Sequence, residues 1–172
     1  MIYRFLIFFF LLSTSVISQE FSAKTAFLEK WKNSKEYLLE IAEQMPEDKY
    51  GFQPTDREMS FKDQLLHIRA NMTWLGTTYF SLEQLDKEKL KENLPEKKAE
   101  IITLLTNAFD KVYTQIQNTK EEALQTEVDF FAGRKSKLQI LNLLQDHVTH
   151  HRGQLIVYLN LNDIKPPQYV GW

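Results

Sequence analysis

The sequence contains no cysteine, and only five of its 172 residues are glycine and five are proline. Without cysteine the chain has no disulfide framework, no cysteine-ligated zinc site, no iron–sulfur cluster and no thiol nucleophile. The scarcity of glycine and proline excludes collagen-like and low-complexity chains and argues against a turn-rich all-β fold. An apolar fraction of 43% is enough to build the core of one ordinary domain.

An excess of charge of one sign is also lacking, since 21 Lys and Arg oppose 23 Asp and Glu and the formal net charge is -2. Nucleic-acid-binding surfaces usually carry a basic patch or stripe. The chain has no Lys/Arg stripe with interleaved aromatic residues, and its run of mixed charges over 87–98 is typical of a solvated helix end. We therefore expect no nucleic-acid partner.

The first 18 residues differ in composition from the rest of the chain. Arg4 supplies positive charge, residues 5–12 are wholly apolar, and residues 13–18 are small and mostly polar. This order is typical of a secretory signal peptide, with cleavage expected before Gln19. No cysteine follows the apolar run, so a lipid-anchored N-terminus is excluded.

A membrane anchor is the alternative interpretation of this segment. The apolar stretch of residues 5–17 is shorter than the roughly 20 residues that a spanning helix needs. We therefore predict a signal peptide over residues 1–18 and a single mature domain over residues 19–172. The expected location is exported, either periplasmic or secreted, with no stable membrane insertion after cleavage.

Apolar residues recur at steps of three and four over most of the remaining chain, which indicates four amphipathic helices. The first is expected to end at Pro46 and the second to begin after the N-cap Ser60. The third is expected to begin near Pro95 and the fourth near Ser136, ending at Asn162. Four such helices bury their apolar faces against one another, so we predict an all-α fold, a four-helix bundle.

The segments between the helices are unequal in length. The connections over residues 46–59 and 119–135 are longer than a minimal up-down bundle needs, and long loops often carry binding sites. A short strand over residues 128–131, before a turn at Gly133, is the one extended segment that we predict.

Histidine carries the predicted chemistry, and the chain has four: His67, His147, His150 and His151. His147 and His151 are four residues apart on the fourth helix, so their rings leave the same helix face one turn apart. That spacing allows two imidazoles to bind one metal ion. His67 can complete the site if the second and fourth helices face each other. Three protein ligands leave an open coordination position, as in catalytic zinc sites.

Other interpretations of these residues stay open on pattern alone. A single histidine on an apolar helix face is usually a hydrogen-bonded core residue, although burying three imidazoles without partners is costly. His150 is expected to be solvated, or to support the metal-binding histidines without itself binding the metal. Arg152 is expected to be a surface charge rather than the partner of an acid. Gly153 is expected to allow a close helix contact or to leave room for a ligand.

Several polar and acidic residues could assist the histidines, but only their residue type identifies them as candidates. Because a metal-ligating histidine usually donates its second N–H, Asn71 and Gln64 are candidates to orient His67. The candidate general bases are Asp63, Asp146 and Glu127. No catalytic residue is assigned from the sequence.

Aromatic residues provide a second candidate site. Trp74, Tyr79 and Phe80 lie close together in the sequence, and the pair Phe130 and Phe131 follows later. These residues could line a pocket for a small apolar ligand. Ordinary core packing is the alternative interpretation of each of them.

Three stretches of the chain resemble the DinB-like family. The run HVTHHRGQL, residues 147–155, is similar to a C-terminal signature in which a His-x-x-x-His pair is followed by Arg-Gly-Gln-Leu. The run MPEDKYGFQPTDREMSFKDQLLHI, residues 45–68, resembles the approach to the second helix, and LNLNDIKPPQY, residues 159–169, resembles the exit from the last. The resemblance extends over about residues 21–169.

The resemblance implies an up-down-down-up four-helix bundle that holds a divalent metal through His67, His147 and His151. Imidazole suits zinc, nickel, copper and iron, and we expect zinc or nickel. Relatives in the family include thiol-dependent S-transferases and a thiol-dependent isomerase, and members often form homodimers. Export would separate this chain from the small thiols that are kept reduced inside the cell.

Two functions are predicted from these features. The first is an exported metal-dependent hydrolase or transferase that acts on an unidentified small-molecule substrate. The alternative is a non-catalytic helical bundle that binds a metal or a small ligand. A metal-free structural or interaction protein, whose histidines satisfy one another, is a third and weaker interpretation.

Overall fold

The computed structural model describes residues 22–171, and within them the fold is built from four long helices and a short hairpin. The helices are α1 (Ala23–Gln44), α2 (Phe61–Phe80), α3 (Lys98–Gln117) and α4 (Lys137–Leu161). The strands β1 (Glu127–Val128) and β2 (Lys135–Ser136) pair antiparallel. Short 3₁₀ turns lie at Glu47–Lys49, Glu88–Lys91 and Glu121–Gln125. The prediction of an all-α four-helix bundle is confirmed, while the predicted signal peptide lies outside the described residues.

Serine side chains cap the starts of α2 and α4. The sequence predicted the Ser60 cap, and it placed the start of the fourth helix near Ser136. Ser60 Oγ accepts the backbone N–H of Asp63 at 3.1 Å. Ser136 Oγ accepts the backbone N–H of Gln139 at 3.3 Å, and Gln139 Oε1 accepts the backbone N–H of Ser136 at 2.8 Å. The first N–H groups of a helix have no partner within the helix, so such caps fix where it begins.

Helix α3 begins at Lys98, three residues beyond the predicted start at Pro95. Its N-cap residue, Lys97, makes no side-chain cap. The backbone N–H of Lys98 instead donates to Glu47 Oε1 at 3.3 Å. Because this acceptor comes from a residue 51 positions earlier, no local sequence pattern reveals it.

The predicted strand over residues 128–131 is correct only at Val128. The strand β1 ends there, and residues 129–131 lead into the turn before β2. Gly133 has a φ of 87°, a left-handed conformation that glycine adopts without steric cost. The glycine therefore closes a hairpin rather than following a longer strand.

Each helix packs beside two of the other three. Helix α1 packs against α3 and α4, and α2 also packs against α3 and α4. Lys24 Nζ donates to the carbonyl oxygen of Thr119 at 2.8 Å, so the start of α1 meets the end of α3. These two helices therefore run antiparallel.

The directions of α2 and α4 follow from contacts at their ends. Lys62 pairs with Glu96 near the starts of α2 and α3, so these helices run parallel. The Tyr158 hydroxyl, near the end of α4, donates to the carbonyl oxygen of Met59 just before α2, at 2.9 Å. Helices α2 and α4 are therefore antiparallel, and the bundle runs up-down-down-up. This arrangement places the first half of α2 opposite the second half of α4.

The core lies along the bundle axis, with Trp31 at one of its most buried points. Trp31 is 1% exposed, its ring centroid lies 5.2 Å from Phe27 and 4.8 Å from Phe109, and its Nε1–H donates to the carbonyl oxygen of Phe109 at 3.1 Å. Tryptophan is stable in a core when its N–H is bonded in this way.

Over residues 22–171, no helix combines the length and the apolar composition that crossing a membrane requires.

Two helical glycines occupy opposite environments. A Cβ atom at Gly76 would lie 2.6 Å from Gln115 Oε1 and 2.8 Å from Val112 Cγ2, so α2 and α3 approach closely there. A Cβ atom at Gly153 would have no atom within 4 Å. Of the two roles predicted for Gly153, the close helix contact is therefore wrong, and the position faces open space.

We expect these glycines to respond oppositely to replacement by alanine. Gly153→Ala should stabilise the fold by about 0.5–1 kcal/mol, because glycine inside a helix is less favourable than alanine by that amount. Gly76→Ala should destabilise it by about 1–3 kcal/mol, because the added methyl group overpacks the α2–α3 contact. Urea unfolding of the two variants beside the wild type measures both effects. Destabilisation by Gly153→Ala would contradict the open surface at that position.

Candidate metal centre

Three histidines meet where α2 faces α4. Ring nitrogens of His67, His147 and His151, one from each residue, all lie within 4.8 Å of one another. Nε2 of His67 and Nε2 of His147 are 3.1 Å apart. His67 is exposed, His147 is half-buried and His151 is buried, so the cluster extends from the core to the surface. The structure thus brings together the three residues that the sequence predicted as ligands.

The spacing of His67 and His147 fits binding to one divalent ion. Two nitrogens that each lie about 2.0–2.1 Å from a tetrahedral zinc ion are about 3.3–3.4 Å apart, close to the observed 3.1 Å between His67 and His147. Nδ1 of His147 is buried and has no hydrogen-bond partner among the described residues. The three rings therefore do not fully satisfy one another's hydrogen-bonding groups.

Burial keeps the imidazoles in their neutral form. It lowers the pKa of His147 to about 3, and repulsion from the other three histidines acts in the same direction. It lowers the pKa of His151 to about 4, again with repulsion from two neighbouring histidines. Burial also lowers the pKa of His67. Because a metal ion binds neutral imidazole, the rings are already in the binding form at neutral pH.

Gln64 holds the ring of His151, the buried member of the histidine cluster, in place. Its Oε1 accepts the Nδ1–H of His151 at 2.5 Å, which leaves the lone pair on the other ring nitrogen of His151 for a metal. The side-chain amide of Gln64 donates to the Tyr158 hydroxyl at 3.3 Å, and that hydroxyl donates to the carbonyl oxygen of Met59. This chain of hydrogen bonds fixes the orientation of the His151 ring.

Neither predicted partner of His67 is hydrogen-bonded to it in the described residues. Gln64 contacts His151 instead, and Oδ1 of Asn71 is buried without a partner in residues 22–171. A sequence signal for Gln64 does exist, because it lies three residues after Phe61 and four before Ile68 on the buried face of α2. A polar residue in that apolar stripe needs a partner in the core.

None of the three acidic candidates for a general base joins the histidine cluster. Asp63 Oδ2 accepts the Ser60 hydroxyl at 2.6 Å at the start of α2. Glu127 pairs with Arg134 at 3.2 Å in the hairpin. Asp146 is exposed and borders a different surface recess. The structure therefore assigns none of these carboxylates to the candidate site.

Arg152 is buried, so its predicted position on the surface is wrong. It is 8% exposed, its guanidinium lies 4.9 Å from the ring centroid of Tyr37, and its Nη1–H donates to Ser34 Oγ at 3.4 Å. These contacts are with α1, whereas the histidines face α2. The signal was present in the sequence, since Arg152 lies four residues after Val148 and three before Leu155.

His150 lies outside the three-histidine cluster. It is exposed, and its Nε2 lies 3.2 Å from Nε2 of Gln154. Its ring meets the edge of the His151 ring at a centroid distance of 4.9 Å. His150 is therefore solvated, as predicted, and provides a matched control for substitutions of the ligands.

A cavity of about 330 Å³ opens beside His67. Its walls come from α2 and from the segment before α3, and the lining residues are His67, Ala70, Asn71, Trp74, Lys87, Glu88, Leu90 and Lys91. Arg69 Nη1–H donates to the carbonyl oxygen of Leu90 at 2.8 Å and ties this segment to α2. A small molecule in the cavity would lie next to the exposed histidine.

Most of the predicted aromatic residues gather near this cavity. The ring centroids of Trp74 and Phe130 are 6.0 Å apart, those of Phe130 and Phe131 are 4.3 Å apart, and Tyr79 lies 6.1 Å from Phe130. Phe80 is buried in the core. Only Trp74 of this group also lines the cavity, so the stacking of Trp74 on Phe130 connects the aromatic cluster to the cavity wall.

The fold and the site together define the class of protein: it is a four-helix bundle whose three-histidine cluster is open to a surface cavity. The DinB family model matches residues 18–170, and the chain belongs to the DinB family. It is 30% identical, over 128 residues, to an uncharacterized protein, YjoA, of Bacillus subtilis (strain 168). That alignment covers 70% of this chain and 78% of the relative.

Solved structures of DinB-like proteins have a similar fold. A crystal structure of the Bacillus subtilis protein aligns with a TM-score of 0.69 and 20% identity, and covers 84% of this chain and 96% of that one. A crystal structure of a DinB-like protein from Bacillus cereus ATCC 10987 aligns with a TM-score of 0.71 and 17% identity, and covers 85% and 97%. At these identities the alignments show the fold, and the resemblance noted in the sequence is confirmed for the family.

Proposed function

We propose that the chain binds one divalent metal ion through His67, His147 and His151 and is a metal-dependent hydrolase or transferase. The observation that carries this proposal is the convergence of three neutral ring nitrogens within 4.8 Å of one another, beside an open cavity. Across residues 22–171 this cluster holds no fourth His, Asp or Glu. Three ligands with an open position are typical of catalytic zinc sites, whereas structural sites are closed by four.

The chain's own residues hold the site and leave one side of it accessible. Packing of α2 against α4 sets the spacing of the rings, and Gln64 orients His151. His67 is exposed and borders the cavity, so a substrate there would reach the open side. A bound divalent ion supplies Lewis-acid chemistry, polarising a substrate group or lowering the pKa of a water or thiol. Zinc and nickel suit an all-imidazole ligand set.

A non-catalytic binder of a metal or small ligand is the second candidate. A specific observation favours it, because none of Asp63, Asp146 and Glu127 joins the histidine cluster. In either case we propose export, on the signal-peptide pattern of residues 1–18. A mature chain that starts at Gln19, measured by mass spectrometry of the cell-envelope or culture fraction, would support export; an intact N-terminus would contradict it.

An activity screen distinguishes the two candidates. The mature, untagged protein, loaded with zinc or nickel or left metal-free, would be assayed against small electrophiles and esters, with and without added thiols. We expect turnover that requires the metal, is lost in His67→Ala and is retained in His150→Ala. Turnover that survives metal removal or His67→Ala would contradict a metal-dependent enzyme. Stoichiometric metal without turnover would favour the binder.

A further inference from the structure

The cavity beside His67 carries an excess of positive charge. Lys87 and Lys91 line it, and Glu88 is the one acidic residue in its wall. Neither lysine forms an ion pair in the part of the chain that the structure describes. Other surface cations do pair with acids: Lys35, Lys62, Lys98, Lys111 and Arg134. Two ammonium groups that form no ion pair within residues 22–171, set against one carboxylate, leave the wall of the cavity with a net positive charge that favours an anion.

Contacts with α2 position these lysines. Lys87 Nζ lies 4.1 Å from the centroid of the Trp74 ring, within range of a cation–π interaction. Lys91 ends the 3₁₀ turn Glu88–Lys91, and Arg69 binds the carbonyl oxygen of Leu90 within that turn. The backbone that carries both ammonium groups is therefore anchored to the helix that carries His67.

Three residues of the wall are apolar, and the cavity is small. Ala70, Trp74 and Leu90 provide apolar surface, and the Trp74 ring is stacked on Phe130 with an interplanar angle of 16°. A volume of about 330 Å³ lies at the low end of the range for small-molecule sites, about 300–1,000 Å³. The cavity thus suits a small molecule with a flat or compact apolar body and a negative charge.

We propose that this cavity binds a small organic carboxylate. Lys87 and Lys91 hold the carboxylate group, and the apolar body lies against Ala70, Trp74 and Leu90. This inference rests on the proposed metal-dependent function and names the substrate class for it, with the reacting part of the molecule placed next to His67.

Fluorine NMR titration with 4-fluorobenzoate tests this inference, with neutral 4-fluorobenzamide as the uncharged analogue. Lys87→Gln and Lys91→Gln remove the charges singly and together. Lys89→Gln is the matched control, because Lys89 is exposed on the same turn but does not line the cavity. Each protein would be measured with zinc and without it, and zinc binding would be titrated separately.

We expect the wild type to bind 4-fluorobenzoate at least about tenfold more tightly than 4-fluorobenzamide. Each single substitution should weaken benzoate binding about three- to fivefold, consistent with exposed ion pairs, and the double substitution about tenfold or more. Lys89→Gln should change it less than about twofold, and zinc affinity should be the same in all lysine variants, since none of them touches a histidine.

The outcomes separate this inference from the proposed function. If zinc binds but the double lysine variant binds benzoate as well as the wild type, or if Lys89→Gln weakens binding equally, the carboxylate site is contradicted and the metal site stands. If zinc does not bind, the proposed function fails. In that case the titrations of metal-free protein test the carboxylate site on their own. Binding of 4-fluorobenzoate that depends on the two lysines supports the carboxylate site, and binding that does not depend on them, or no binding, overturns it.

Discussion

Replacing His147 by alanine is expected to abolish stoichiometric zinc binding, from about one ion per chain to none. His147 Nε2 lies 3.1 Å from His67 Nε2 within the cluster. Loss of an outer partner of a ligand usually lowers metal affinity about 10–100-fold, so loss of a direct ligand should exceed that range. Isothermal titration of the metal-free protein with zinc measures the affinity and the stoichiometry together.

The fold should survive this substitution. The His147 ring is half-buried, and its Nδ1 has no hydrogen-bond partner in the described chain. Removing the ring therefore breaks no hydrogen bond at Nδ1. Circular dichroism and cooperative unfolding of the variant provide the check. His150→Ala, on the same helical turn, should bind zinc like the wild type. Wild-type zinc affinity in His147→Ala would contradict the assignment of this ligand.

Gln64→Leu is expected to lower zinc affinity about 10–100-fold while the fold persists. Leucine keeps the side-chain volume close to that of glutamine but cannot accept the Nδ1–H of His151, now bound at 2.5 Å. The ring would then lose both its fixed tautomer and its orientation. Zinc titration gives the affinity, and thermal unfolding of the metal-free protein shows whether the core is intact.

Two further variants distinguish positioning of His151 from a general packing effect. Tyr158→Phe removes the hydroxyl at the far end of the hydrogen-bond chain but leaves the contact between Gln64 and His151. It should cost about 1 kcal/mol of stability and change zinc affinity little. Gln64→Glu restores an oxygen acceptor and should return zinc affinity to near the wild-type value. If Gln64→Glu bound zinc as weakly as Gln64→Leu, the hydrogen bond to His151 would not be what positions the ligand.

The sequence was most informative where structure depends on local spacing. Periodic apolar residues located α2 and α4, and the Ser60 cap located the start of α2, because both features act within one or two helical turns. The four-residue spacing of His147 and His151 likewise places both rings on one face of α4. Convergence with His67 required knowing which helices face each other, and the family resemblance supplied that expectation.

The features that sequence reasoning missed depend on contacts between distant segments. Glu47, in the turn between α1 and α2, caps the start of α3, and Gln64 reaches across to α4. Arg152 was assigned to the surface because of its charge, although its helical position is buried against Tyr37 on α1. A polar residue inside an apolar stripe was the available signal in both α2 and α4, and it deserves more weight than residue type.

Anomalous X-ray scattering at the zinc edge, from crystals of the untagged protein grown with zinc, tests the central claim most directly. The account predicts one strong peak, about 2.0–2.1 Å from a ring nitrogen of each of His67, His147 and His151. No peak among these three rings, or a peak bound by other residues, would contradict the metal site on which the proposed function depends.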